Sequence, residues 1–226
     1  MTTYAFVNQS KAAELAPALV LAQMVSDIQE AYDLIFAPAL GTLSVTVEVG
    51  AAKEDTDRVL VLKDTLPEAP GALAYHSVDD KGRPVLFLGV ETIRSDGNFS
   101  GPALLDQISI AASHEIFETA ADPFCVLYCF VDGKDALLSY EVCDPVQGGS
   151  FKQGKTAISN FVLTEYWDAG AKGPYDYCHQ LSSPLSCDAA GYQAWSDGTQ
   201  TFGSKMSKAK KHTVQNYGRK MMRKAA

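Results

Sequence analysis

The change of hydrophobic period along the first 122 residues restricts the fold of this chain more than any single motif. From Lys11 to about Phe36, apolar residues recur at helical spacing: Leu15, Leu19, Ala22, Val25, Ile28, Tyr32 and Ile35. The period then drops to two. LSVTVEVG (Leu43–Gly50) alternates cleanly, DRVLVLKD (Asp57–Asp64) repeats the pattern, and ALAYHSVDDKGRPVLFLGVETI (Ala72–Ile93) reads as two strands joined by an Asp-Asp-Lys-Gly turn. Helical spacing returns near Ala103, with Leu105, Ile108, Ala112, Ile116 and Ala120 as its apolar stripe, and stops at Asp122–Pro123. With a short strand at Tyr4–Asn8, the order is strand, helix, several strands, helix. It predicts an α+β fold in which helices cover a mixed sheet.

Local signals refine the boundaries. Ser10 is placed to cap the first helix, Pro17 to delay or kink its start, and Pro38 and Gly41 to end it. RSDGNFSGP reads as a loop. CVLYCFVD and ALLSYEVC form a predicted hairpin around Gly133. From Asp144 to Gly203, turns, aromatics and short strand-like runs replace periodicity, which predicts an irregular β-rich second half. No repeat or composition break divides residues 1–203, so they are expected to form one domain, with residues 204–226 as a basic arm.

Composition excludes some classes. Of 226 residues, 46% are hydrophobic, enough for a sizeable core. No apolar run approaches the ~20 residues of a membrane span. The N-terminal stretch lacks the basic leader of a signal peptide, so synthesis in a cytosol is expected. Five cysteines without CxxC spacing argue against a disulfide framework or a cysteine zinc knot, although Cys178 and Cys187 could meet across a loop. The net charge of −8 is uneven. From Thr199 onward there is no acidic residue, and Lys205, Lys208, Lys210, Lys211, Arg219, Lys220, Arg223 and Lys224 give +8, so the preceding 198 residues carry −16. An acidic body with a basic arm suggests docking of the arm on an acidic protein surface, with contact to DNA phosphates as the lesser alternative.

The chemistry lies in HEIFETAADPF (His114 to Phe124). On a helix, His114, Glu118 and Asp122 share a face and Glu115 lies on its flank. An imidazole and a carboxylate one turn apart can clamp one cation, and Glu115 is placed as a general base toward water activated there. Three protein ligands are normally required. The third is sought, in order, at Glu141, Asp144, Asp122 and His76. Exchanging a second histidine for Glu118 adds a hard, charged oxygen. Zinc tolerates it, and calcium, magnesium or manganese become more competitive.

SHEIFETAADPF, with GALAYHSVDDKGRPVLFLGV before it and YEVCDPV and ISNFVLTEYWDAG after it, resembles a group of proteins encoded by tailed bacteriophages whose members look like zincins, the HExxH metallopeptidase superfamily. The resemblance covers roughly Ala72 to Gly170. It implies a zincin-like mixed twisted sheet, a backing helix and a motif-bearing helix. His114 and Glu118 would then be the motif ligands, Glu115 the general base and Glu141 the downstream acidic ligand. A peptide substrate would add itself along an edge strand, expected at Pro84–Val90. The departure is Glu118 where those peptidases have histidine. Phage context implies a virion-associated structural protein, decorating a capsid or tail and anchored to other phage structural proteins by the basic arm. The alternative is a metal-dependent peptidase or amidase using His114, Glu118 and Glu141 with Glu115.

Overall fold

A computed structural model describes residues 2–51 and 58–217. Five strands form the main sheet: β1 (Thr2–Asn8), β2 (Val45–Val49), β3 (Arg58–Lys63), β4 (Ala74–Val78) and β5 (Pro84–Gly89), in the spatial order β2-β1-β3-β5-β4. All neighbours are parallel except β4, which runs antiparallel to β5 at the edge. The α+β expectation therefore holds as a mixed sheet packed with helices, but the expected edge strand does not. The run from Pro84 is internal, and β4 is the edge. Pro84 is tolerated because it pairs only with Val78, at the end of the ladder, and the β3–β5 register begins at Val85.

Register decides which side chains meet the helices. Phe6, Leu60, Leu86 and His76 lie side by side across four strands, as do Tyr4 and Val47 on β1 and β2. Because side chains alternate, this whole set faces one side. Its apolar members are buried beneath α1 (Ala18–Ala31) and the long motif helix described below. The first helix begins only after Pro17, as anticipated. Ser10 instead accepts the amide of Ala12 ahead of a short 3₁₀ turn at Ala13–Leu15. Nor does Pro38 end the helix. A wide turn at Tyr32–Phe36, closed by the Ala37 amide on the Tyr32 carbonyl, leads into α2 (Ala37–Leu40), where Pro38 occupies the first turn. Gly41, at φ 67°, then supplies the left-handed stop.

A second correction concerns Val90–Gly97. The sequence suggested the end of a strand and a loop, whereas the chain forms α3 (Val90–Gly97), stopped by Asn98 in the left-handed region. Next comes α4 (Gly101–Ala121), which carries the motif and has Pro102 in its first turn. Phe117 from α4 stacks on Phe36 at 4.2 Å between ring centres, and Phe161 meets both rings edge-on. These rings join the two helices to the second half. There the pairs are β6 (Tyr128–Cys129) with β7 (Leu138–Ser139), β8 (Ser150–Gln153) with β9 (Thr156–Ser159), and β10 (Tyr192–Ala194) with β11 (Gln200–Phe202). The hairpin around Gly133 is thus present, with strands of only two residues. All five cysteines are free, including Cys178 and Cys187. The last helix among the described residues, α5 (Lys208–Tyr217), folds back onto the body. No helix among the described residues is long and apolar enough to cross a membrane.

Candidate metal centre

Three separate elements bring the polar residues together. Helix α4 presents His114, Glu115 and Glu118 toward β4, where the register aims His76 at them. The downstream segment arrives through Glu118 itself. Its Oε1 accepts the backbone amides of Cys143 (3.1 Å) and Asp144 (3.2 Å), pinning the 3₁₀ turn Asp144–Val146 against the helix. On another side of α4, the Ser109 hydroxyl donates to the Ala157 carbonyl and the Ser113 hydroxyl accepts the Ser159 amide. These bonds fix the roll of the helix against β9. Nothing in the apolar spacing had marked those two serines.

Two groups result, and each could hold a metal ion. In the first, His114 Nε2 lies 3.2 Å from Glu118 Oε2 and 3.3 Å from Asp144 Oδ1. Ligand atoms at about 2.0 Å from a tetrahedral ion are separated by about 3.3 Å, so these spacings suit one cation. In the second, His76 Nδ1 lies 2.9 Å from Glu115 Oε2 and 3.7 Å from Glu118 Oε2. The shorter distance is that of a hydrogen bond, so we read His76 and Glu115 as a proton-sharing pair beside the first group. Glu118 belongs to both groups. One of its oxygens serves the backbone and the other faces the two imidazoles.

The remaining expected residues have separate places. Glu141 is buried, with Oε2 3.8 Å from His76 Nε2; it stands beside His76 and not in the His114 group. Asp122 is buried at the end of α4, where its two carboxylate oxygens accept the amides of Val126 and Leu127 and turn the chain after Pro123. Of the arm, Lys210 pairs with Asp96 at 2.9 Å. Lys211 lies over the Phe202 ring, while Lys205 donates its amide to Ala189. Arg219, Lys220, Arg223 and Lys224 lie outside the described residues.

No protein-family model, curated protein or solved structure matches this chain. Any functional reading therefore rests on its own residues.

Electrostatics favour a cation. Glu115, Glu118, Glu141 and Asp144 are each less than a tenth exposed. With both imidazoles protonated, four carboxylates against two positive charges would still leave an excess of two negative charges. Buried charges of this kind are found paired or bound to metal. The side chains already register the strain. Burial, and then Asp144, push the Glu118 carboxyl above its ordinary value. Burial opposes charge on His114, but Glu118 and Asp144 outweigh it and hold the imidazole well above the usual histidine range. For His76, burial likewise opposes charge, while the Cys125 sulfur, Glu115 and Glu141 favour it. Since burial also raises the Cys125 thiol, that sulfur is uncharged near neutrality and the carboxylates carry the effect. His76 Nε2 is buried and makes no hydrogen bond.

The groups open into a cleft of about 600 Å³. Its walls include Ala74, Tyr75 and His76 of β4, Ile110 and Ala111 of α4, and Tyr192 and Trp195. The Tyr192 hydroxyl faces Asp144, and burial together with Asp144 and Glu118 keeps it protonated far above the usual tyrosine range. Tyr192 thus keeps a neutral hydroxyl that can donate a hydrogen bond at the edge of the group, which the unperiodic second half gave no means to foresee.

Proposed function

We propose that this protein is a metal-dependent hydrolase of peptide or amide bonds, built on a zincin-like body. One observation carries the reading: His114 Nε2, Glu118 Oε2 and Asp144 Oδ1 converge at ligand spacing at the foot of an open cleft. These three residues would hold a divalent cation, zinc first and manganese, magnesium or calcium as competitors given two carboxylates. When bound, such a cation supplies Lewis acidity. The other work falls to the chain. The Glu115 carboxylate is the group that takes a proton, and the His76 ring, hydrogen-bonded from Nδ1 to Oε2, fixes its orientation. Tyr192 can donate to an oxygen that gains negative charge. Among the described residues no strand pairs with the outer side of β4, so an extended peptide can add there as a sixth strand beside the cleft.

The test is metal content and turnover. Purified chain should bind about one equivalent of zinc or manganese and hydrolyse members of a peptide library. The Glu115→Gln variant should keep its metal and lose turnover by roughly 10²–10⁴-fold, the usual contribution of a general base. Absence of both metal uptake and turnover would end this reading.

The charge asymmetry supports a second reading, a virion-associated structural protein anchored to phage components through its basic arm. It predicts co-sedimentation with capsids or tails that fails when residues 204–226 are removed. The docked position of α5 counts against a freely extended arm.

A further inference from the structure

The cleft has an occupant of its own along one wall. Met206, Lys210, Thr213 and Val214 line it together with His114, Glu118 and Asp144. Lys210, Thr213 and Val214, spaced three and four apart, share one face of α5, and Met206 lies just ahead of the helix. Lys210 Nζ reaches Asp96 Oδ2 at 2.9 Å, and Lys211 lies 5.4 Å from the centre of the Phe202 ring. Thr213 packs so closely on Gly71, just ahead of β4, that a Cβ there would fall 2.9 Å from its hydroxyl. Charge is complementary. Among the described residues lining the cleft, Lys210 is the one lysine or arginine, against six carboxylates including Asp96 and Asp197. Helix α5 contains no acidic residue.

We propose that α5 is an intramolecular ligand of the cleft, and that the cleft accepts cationic peptide segments of which α5 is the tethered example. As a consequence, the docked helix restricts entry beside β4, and a competing basic peptide opens the site by displacing it. The restriction of substrate rests on the hydrolase reading; the docking does not. The contact is built to release. A ten-residue helix is marginal alone, so α5 depends on its packing. Its anchors are few: Met206 is buried, Val214 is half-buried, and the Lys210–Asp96 pair is exposed.

The experiment uses the full chain without added metal or substrate. Hydrogen exchange of the α5 amides should show protection in the wild type. Lys210→Glu should speed that exchange by up to roughly fivefold, the weight of an exposed ion pair. Adding Asp96→Lys to that variant should restore it by reversing the pair. Val214→Asp, which brings a negative charge into an acidic cleft, should abolish the protection. A fluorescent peptide of residues 205–217 should bind the Val214→Asp chain at least tenfold more tightly than the wild type, and more weakly as salt rises. Unprotected α5 amides in the wild type, protection unchanged in both single variants, or equal peptide binding to wild type and Val214→Asp would overturn the proposal. Since no arm needs metal, those failures would leave the hydrolase reading standing, and a failure of metal uptake would leave the docking intact.

Discussion

Replacing Glu118 with glutamine separates its two tasks. The amide oxygen of the new side chain can still accept the Cys143 and Asp144 amides that Oε1 accepts now. The other oxygen, 3.2 Å from His114 Nε2, becomes an uncharged amide nitrogen with no lone pair for a metal. The metal-free variant also carries one fewer buried negative charge, so its melting temperature should not fall. Metal response should differ sharply. A ligand present at a hundred times its dissociation constant adds about 2.7 kcal/mol of stability. In a chain of this size about 1 kcal/mol shifts the melting temperature by ~2–4 °C, so the wild type should rise by roughly 5–11 °C. Loss of even an outer-shell partner costs up to ~100-fold in affinity, and loss of a direct ligand should cost at least that. At the same metal concentration the variant would then gain only about 0.4 kcal/mol, or ~1 °C. Thermal melts of both proteins with and without zinc and manganese make the comparison. If the variant rises as far as the wild type, Glu118 is not a ligand. If the metal-free variant melts several degrees lower and neither protein responds to metal, Glu118 serves as the charged partner of His114 and not as a ligand.

Other consequences can be measured alongside. In EDTA, stability should fall as pH rises from 6 to 9. The folded-state values of His114 and Glu118 are both raised, so their stabilising contributions are complete below the unfolded values, near 6.5 and 4.5, and are lost as pH climbs through the folded ones. The carboxyls held low by partners, such as Glu14 beside Arg94, lose their contribution only in the acid range and do not oppose this trend. Saturating metal should flatten it, because bound ligands are already deprotonated; a urea midpoint that increases with pH in EDTA would contradict the assignment. Phe117→Ala should cost about 3–5 kcal/mol in urea unfolding, since it empties a fully buried position stacked on Phe36. Asp27→Ala should cost on the order of 3 kcal/mol, because it strands the Lys155 amide and the Thr156 hydroxyl that the Asp27 carboxylate now accepts; a loss under about 1 kcal/mol would mean water replaces it.

The long elements were legible because each repeats its period several times: the two main helices and all five sheet strands sit close to where the spacing put them. Strand order was not. Alternation says that Pro84–Gly89 has a buried face, and is silent about which neighbours it takes; the internal place of β5 comes from pairing with both β3 and β4. That one topological fact also moved His76, ranked last among the candidate ligands, into contact with Glu115. The choice between Glu141 and Asp144 turned on local backbone. A strand continuing through YEVCDP would not bring Asp144 to the helix, whereas the 3₁₀ turn held by Glu118 does. Helix α3 was missed because Val90 follows directly on an apolar run that already reads as strand, and Glu91, Thr92 and Ile93 do not break that pattern. Phe117 fell outside the apolar stripe assigned to its helix, although it joins both halves of the core.

The wide turn at Tyr32–Phe36 has a bearing on how the gene can change. An α-helix rotates about 100° with every residue, so one residue more or less ahead of Phe36 swings its ring by that angle. The surplus residue held in the turn lets Phe36 land on Phe117 while Ala18–Ala31 keeps its own face on the sheet. Excision of a single codon there would leave a straighter rod with its aromatic plug aimed elsewhere. A shorter cousin of this chain would then have to refill the gap between Phe117 and Phe161 from a different position, and an alignment gap in this helix should travel with changes in those two rings.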